Sequence, residues 1–524
     1  MRLKVLVLLV LLVTSAWAHA QYDNVNGTYR LEAMPSAASE ALRMNRTELC
    51  DEYPAGRYVA RGEKLVITVE GLPDGFSLDA TIGFRPMWGV EIDKQEESLV
   101  EGENTVTASQ AGPLFLRFLQ PDGESEEAEV SVEVEGGVPL PLYVDGQSSA
   151  SQWHQQLKDY ARAPFVQLLG EHAIITLPRH AHIKSPVKDP RATFATINRM
   201  IDLQDELAGL DGSTERDQRS KLRQHYLVDF RVSKAELGDV YMYATDQFIG
   251  MREDNTFTLT DPKALRREWG IWHETGHTHQ QNAWTWDALT EVNVNLFSLY
   301  VQEAFGQPST LQEESDEDGT YLEQARSCVE QGTMDPFIDP ENERCGYFVR
   351  LVMFYQLKEA FGWDLFKDLH KHFRANPSPE DASDQDKADA LVQALCELTG
   401  VDLRAFFSAW GIEVSDTAAE ALDEANFPPP DEDTARILSS PSPPSWTCQS
   451  SNTAICLPVC PQAPETPDHA TTARFPRHAR GRHGRPRLGR PNFVLKTDWR
   501  PCSYQGFCRR SHPAIRRMPR RRQR

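Results

Sequence analysis

A chain of 524 residues is too long for one small core and predicts two or three domains. Its net charge of −22 argues against nucleic acid as a partner, although that charge is unevenly spread. Residues 471–524 hold 17 Lys or Arg against one acid, Asp498, a balance of +16, so the other 470 residues carry −38.

The first element, MRLKVLVLLVLLVTSAWAHA, places Arg2 and Lys4 before an apolar run over residues 5–13 and small residues up to Ala20. This predicts a cleaved secretory signal over residues 1–20. The run is far short of the roughly 20 residues that cross a bilayer, and no later segment is long and apolar enough. The mature chain is expected to be secreted, with a periplasm or cell surface as alternatives, and to have no membrane span. Residues 21–55 make an N-terminal segment. Over 56–140, GRYVARGEKLVITVEGL and AEVSVEVEGG alternate apolar and polar residues between glycines and prolines, which predicts a β-sandwich.

From 141 to 425 the pattern is mainly helical, with a strand pair predicted at LVDFRV and GDVYMYA. DPKALRREWGIWHETGHTHQQ predicts one helix, with Asp261 as N-cap and Pro262 first. WDALTEVNVNLFSLYVQEAFG predicts the next, capped by Asp287 and stopped by Gly306. CGYFVRLVMFYQLKEAFG and DKADALVQALCELTG predict two more, each ended by glycine, the second capped by Ser383. The expected class is α+β and multidomain, a sandwich followed by a mainly helical domain. Cys328 and Cys345 flank a polar, loop-like stretch; export permits them to pair, a link that stabilises by about 3 kcal/mol. Cys396 lies in a helix pattern and reads as a small buried apolar residue. The acidic run EESDEDG at 313–319 lacks the register of a calcium loop and reads as a solvated loop.

Past residue 425 comes a proline-rich linker, then an Arg/Pro/His/Gly-rich stretch, so 426–524 is expected to pack no core. Two readings stand for this tail: the product of a frameshift in a GC-rich gene, or a basic tail that holds polyanions such as sulfated glycans. Its five cysteines have the spacing of no familiar zinc finger.

The chemistry concentrates in WHETGHTHQQNAWTWDALTEVNVN, residues 272–295. On a helix, positions four apart share a face, so His273 and His277 can aim imidazole nitrogens at one ion. Glu274 stands beside that ion and can take a proton from a zinc-bound water. A catalytic zinc takes three protein ligands, and Glu291 on the following helix is the candidate third. Its neighbours Val292, Val294, Leu296 and Phe297 suggest a buried helix, where an unpartnered carboxylate is costly. The plain alternative for Glu291 is a solvated helix charge. Asn295, one turn on, can fix the tautomer of a ligand histidine; Asn293 is a weaker candidate, and Asp287 is the next position for a ligand role. Gly276 reads as a close-packing site and His279 as a surface histidine. Trp284 and Trp286 could stack on a sugar or a substrate side chain, but core or loop packing is the favoured reading.

WGIWHETGHTHQQNAWTWDALTEVNVNLFSLYV resembles the signature of the enhancin-like metallopeptidases, which include bacterial mucin-degrading proteases. The likeness extends over GRYVARGEKLVITVEG, ARAPFVQLLGEHAIITLP, YFVRLVMFYQLKEAFGWDLFKDLHKHFR and TGVDLRAFFSAWGIEVS, about residues 56–415. It implies a zincin-type domain over 141–425 with one zinc on His273, His277 and Glu291. It also implies Glu274 as base and internal peptide-bond cleavage in mucin-like, O-glycosylated proteins. GDVYMYA would then be an edge strand that pairs with substrate, with Tyr243 and Tyr347 as candidate donors to the oxyanion. The competing classes are a general secreted protease without glycan preference and a non-catalytic glycan-binding relative. An intact Glu274 argues against the latter.

Overall fold

Where apolar and polar residues alternate in the first part of the chain, strands form. The computed structural model describes residues 21–439 apart from 85–93, 122–126, 230–239, 313, 317–318, 339–344 and 380. The predicted signal, the tail from 440 with its five cysteines, and parts of EESDEDG and GDVYMYA lie outside the described residues.

Two five-stranded antiparallel sheets come first. One has the order β1 (Gln21–Asp23), β2 (Thr28–Glu32), β9 (Glu129–Glu135), β4 (Lys64–Glu70), β7 (Gly102–Thr107). The other runs β10 (Val138–Pro139), β3 (Tyr53–Val59), β8 (Gly112–Leu119), β5 (Ser77–Ile82), β6 (Gln95–Leu99). Along β9 the three valines are buried and the residues between them exposed. Val130, Val132 and Val134 share one apolar cluster with Leu65, Ile67 and Val69 of β4 and with Leu78, Ile82, Leu114 and Leu116 of the other sheet. Each such side chain stabilises by about 1.5–3 kcal/mol when fully buried. The strands start at Gln21, not at residue 56 as expected. β2 buries Tyr29 and Leu31 but pairs with β9, far along the chain, so its membership is not written in local periodicity.

The region from 141 is mainly helical, as expected, but it holds more than the one strand pair predicted there. A six-stranded mixed sheet lies there, in the order β11 (Leu142–Val144), β12 (Phe165–Leu169), β13 (Ala173–Pro178), β14 (Gln224–Asp229), β16 (Phe248–Arg252), β15 (Met242–Thr245). Every residue of β12, β13 and β14 is buried, polar Gln167, Thr176, Gln224, His225 and Asp229 included, so these strands show no alternation of apolar and polar positions. The predicted strand pair is also revised. β14 and β15 are not neighbours; β16 lies between them, parallel to β14 and antiparallel to β15. β15 is left at the sheet edge.

The single helix expected from Asp261 is broken in two. Asp261 caps Pro262–Leu265 through Lys263 N, and a second helix, Trp269–His277, starts after Arg266–Glu268. Trp272 holds the break by donating from Nε1 to Leu265 O at 2.9 Å. Further on, Thr290–Asn293 and Asn295–Ala304 follow one another, and Gly306 with φ 68° ends the run. Asp287 makes no side-chain cap; itself exposed, it opens the 3₁₀ turn Asp287–Leu289, whose other two residues are buried. The helices Tyr347–Phe361 and Asp384–Thr399 stop at Gly362 and Gly400, both with positive φ, and Ser383 caps the second through Asp386 N. Cys328 and Cys345 are bonded, with Cα atoms 6.1 Å apart, and Cys396 is buried with a free thiol that burial pushes up to about 11.

Packed structure continues past Ala425, where a linker was expected. A further helix, Glu432–Ser439, buries Leu438 and is held by Gln356 Nε2, which donates to Ile437 O and Leu438 O. Its short apolar set, Ile437 and Leu438, is too small to stand out from a proline-rich surround. No helix among the described residues is long and apolar enough to cross a membrane.

Candidate metal centre

The helix Trp269–His277 lies against the six-stranded sheet because one side of it is apolar and the rest is bonded. Ile271 and Trp272 are buried, and Thr275 Oγ1 meets Tyr226 OH of β14 at 2.9 Å. Gly276 faces the helix Asn295–Ala304, where a Cβ would come within 3.1 Å of Val294 Cγ2 and Val294 O and 3.2 Å of Phe297 Cβ. The close packing expected of Gly276 is what lets the two helices bring their functional residues together.

His273 Nε2 and His277 Nε2 are 3.1 Å apart. Glu291 reaches in from the neighbouring helix, with Oε2 3.0 Å from His273 Nε2 and Oε1 3.7 Å from His277 Nε2. Donor atoms of His273, Glu274 and His277 all lie within 4.8 Å of one another. The structure thus gathers all four residues singled out in the sequence.

The outer bonds fix the protons. Trp269 Nε1 donates to Asn295 Oδ1 at 3.0 Å, and an indole N–H only donates, so that atom is an oxygen. His273 Nδ1 lies 2.8 Å from the same oxygen and must carry a proton. Gln280 Nε2 donates to Thr290 O at 2.7 Å, so its Oε1, 2.6 Å from His277 Nδ1, accepts a proton there too. Neutral imidazoles in these tautomers turn both Nε2 lone pairs toward each other and toward two carboxylate oxygens. Four electron-rich atoms at such separations call for a shared cation, which can be a metal ion or a further proton on His277. Two imidazoles and a carboxylate are a zinc donor set, so these residues fit that ion.

Charge follows the same logic. Burial opposes an imidazolium at His277, but the Glu291 carboxylate outweighs it and raises the group to about 9. Burial would raise Glu291, yet His277 and then His273 hold it well below the usual carboxylate range. Burial pushes Glu274 up; the two histidines partly offset the rise, and a backbone hydrogen bond from Ala244 on β15 also favours its charged form.

Other expected site residues are placed elsewhere. Trp284 and Trp286 are each 1% exposed. Trp284 bonds Gln281 Oε1 and packs on Phe354 and His370; Trp286 bonds Pro336 O and stacks on Phe337. Neither offers a ring face to a sugar, and the core alternative holds. Tyr243 OH donates to buried Asp229 at 2.8 Å, and its ring covers Gly250, which takes it out of the oxyanion role. Tyr347 opens the helix that packs on Thr290–Asn293 and keeps its candidacy. Asp287 is exposed and stands outside the cluster. His279 is not a surface residue: it is 1% exposed, 2.8 Å from Asp205 Oδ1 and 3.0 Å from Thr275 O. Gln280, bound to His277, was missed; its spacing three past His277 was the available signal.

The fold and the His273–Glu274–His277 group fit the metallopeptidase class. Residues 136–411 match the family described as Peptidase M60, enhancin and enhancin-like, and the chain belongs to that family. It is similar to a conserved protein of unknown function from Bacillus anthracis, with 26% identity, TM-score 0.68, and coverage of 79% of this chain and 80% of that one. The M60 catalytic domain of ZmpC from Clostridium perfringens, solved in complex with the sialyl T antigen, shares the fold at 18% identity and TM-score 0.61, covering 78% and 81%. A TRPM8 channel-associated factor homolog from Xenopus laevis is 26% identical over 317 residues, 59% of this chain. The match spans 32% of the length of that relative.

Proposed function

We propose that this chain is a secreted zinc endopeptidase, with His273, His277 and Glu291 as ligands and Glu274 as the base. The observation that carries the reading is the convergence of two Nε2 lone pairs and the Glu291 carboxylate, with Glu274 beside them. Bound zinc supplies a Lewis acid that polarises the scissile carbonyl and makes water acidic. An extended substrate adds to the edge strand β15 by main-chain bonds. Glu274 takes a proton from the attacking water, whose oxygen bonds to the carbonyl carbon. It passes that proton to the leaving amine as the C–N bond breaks. The sheets of residues 21–139 read as a sandwich domain beside the peptidase.

The substrate class we propose is mucin-like, O-glycosylated protein. Its support is the sialyl T antigen bound by the similar ZmpC domain and the Tn antigen bound by another similar metallopeptidase. With Trp284 and Trp286 in the core, this chain's own residues do not add to that support, and a general protease is the second reading. The test is incubation of the purified protein, with and without chelator, with a mucin, its deglycosylated form, and casein. Chelator-sensitive cleavage that weakens on deglycosylation supports the proposal. Equal or faster cleavage of casein selects the general protease, and cleavage untouched by chelator rejects zinc catalysis.

A further inference from the structure

The two amides outside the ligand cluster do more than meet one histidine each. Gln280 accepts from His277 Nδ1 through Oε1, and its NH₂ group donates to Thr290 O and to Asn293 Oδ1. Thr290 and Asn293 flank Glu291 on its short helix. Asn295 accepts from His273 Nδ1 and from Trp269 Nε1, and its Nδ2 donates to Glu291 O at 2.9 Å. Each amide therefore joins one ligand histidine to the backbone or side chains around the third ligand. Asn293, itself 1% exposed, is anchored in turn by Nδ2 donating to Thr285 Oγ1 at 2.8 Å.

Resting on the zinc reading above, we infer that Gln280 is a positioning residue, and that it and Asn295 form a cross-brace. The brace sets both histidines as Nδ1–H tautomers and holds their spacing to Glu291. A helix alone fixes His273 to His277, but nothing in its geometry fixes either one to a glutamate on another helix. The amides supply that link, because an amide can accept at one end while it donates at the other. Loss of such an outer partner weakens metal binding by about 10–100-fold.

The test is zinc affinity measured by competition with a chelator, on the full chain, for wild type, Gln280→Leu and Gln280→Glu. Near-ultraviolet circular dichroism of the metal-free forms checks the fold. Gln280→Leu should weaken zinc binding by about 10–100-fold. Gln280→Glu keeps the acceptor for His277 but turns an oxygen onto Thr290 O and Asn293 Oδ1, so it cuts the link to the Glu291 helix and should also weaken zinc binding. Wild-type zinc affinity in either Gln280→Leu or Gln280→Glu overturns the inference. A nitrogen-15 histidine spectrum of the zinc-loaded wild type supplies a readout independent of any variant. Both histidines should carry a proton on Nδ1 and bind metal through Nε2; metal on Nδ1 of either would overturn the brace. If wild type binds no zinc at all, the metallopeptidase reading fails with it; if wild type binds tightly and the Leu variant equally so, only the brace fails.

Discussion

Two buried clusters of charged residues sit at one end of the same helix, and they are built on opposite principles. Around His279, opposite charges face one another: Asp205 lies 2.8 Å from His279 Nε2 and 2.7 Å from Arg219 Nε, with Arg46 3.7 Å away. That set already balances an acid against two arginines. Around His273 and His277, lone pairs face lone pairs and a carboxylate, and the set is complete only with a cation. Residue type does not separate the two, since both contain a buried histidine and an acid. The direction of the outer hydrogen bonds does.

The comparison predicts different losses on the two sides. Glu291→Ala removes a ligand, so zinc content should fall from one per chain and turnover should fall with it, read by mass spectrometry and a peptide assay. Full zinc in that variant would place the third ligand elsewhere. Asp205→Ala leaves the buried Arg46 without its ion-pair partner, which costs about 3–5 kcal/mol. Urea unfolding should show that loss, while the folded fraction still takes up one zinc. A variant that kept its stability but lost zinc would merge the two clusters into one site. Gly276→Ala brings a methyl against Val294 and Phe297. Overpacking there should cost about 1–3 kcal/mol, only partly offset by the roughly 1 kcal/mol that Ala gains over Gly in a helix. A raised melting temperature would show that the two helices can part without strain.

What the sequence made legible was local. His273, Glu274 and His277 are spaced by one helix turn, the caps and glycine stops of the later helices sit beside the residues they serve, and Gly276 implied its close neighbour. Glu291 was reachable because a glutamate among Val292, Val294 and Leu296 needs a partner. What stayed hidden depends on distant contacts. β16 separates β14 from β15, and no residue in either strand records that order. His279 lies two residues past His277, and only the arrival of Asp205, 74 positions earlier, makes it a core residue. Core or loop packing is the favoured sequence reading of Trp284 and Trp286, but it does not say what they pack on; Pro336, Phe337 and Phe354 cover them from later segments. The helix at Glu432–Ser439 is set by its bonds to Gln356, not by its own short apolar set.

The central claim is that the four converging residues divide into three that hold zinc and one that moves a proton. Glu274→Gln tests it most directly, with metal content and turnover measured on the same sample. The glutamine keeps the shape and cannot take the proton. The variant should bind close to one zinc per chain and lose about 10²–10⁴-fold in turnover, the contribution of a positioned acid–base group. Near-wild-type turnover with zinc in place would contradict the account, because Glu274 would then not be the base.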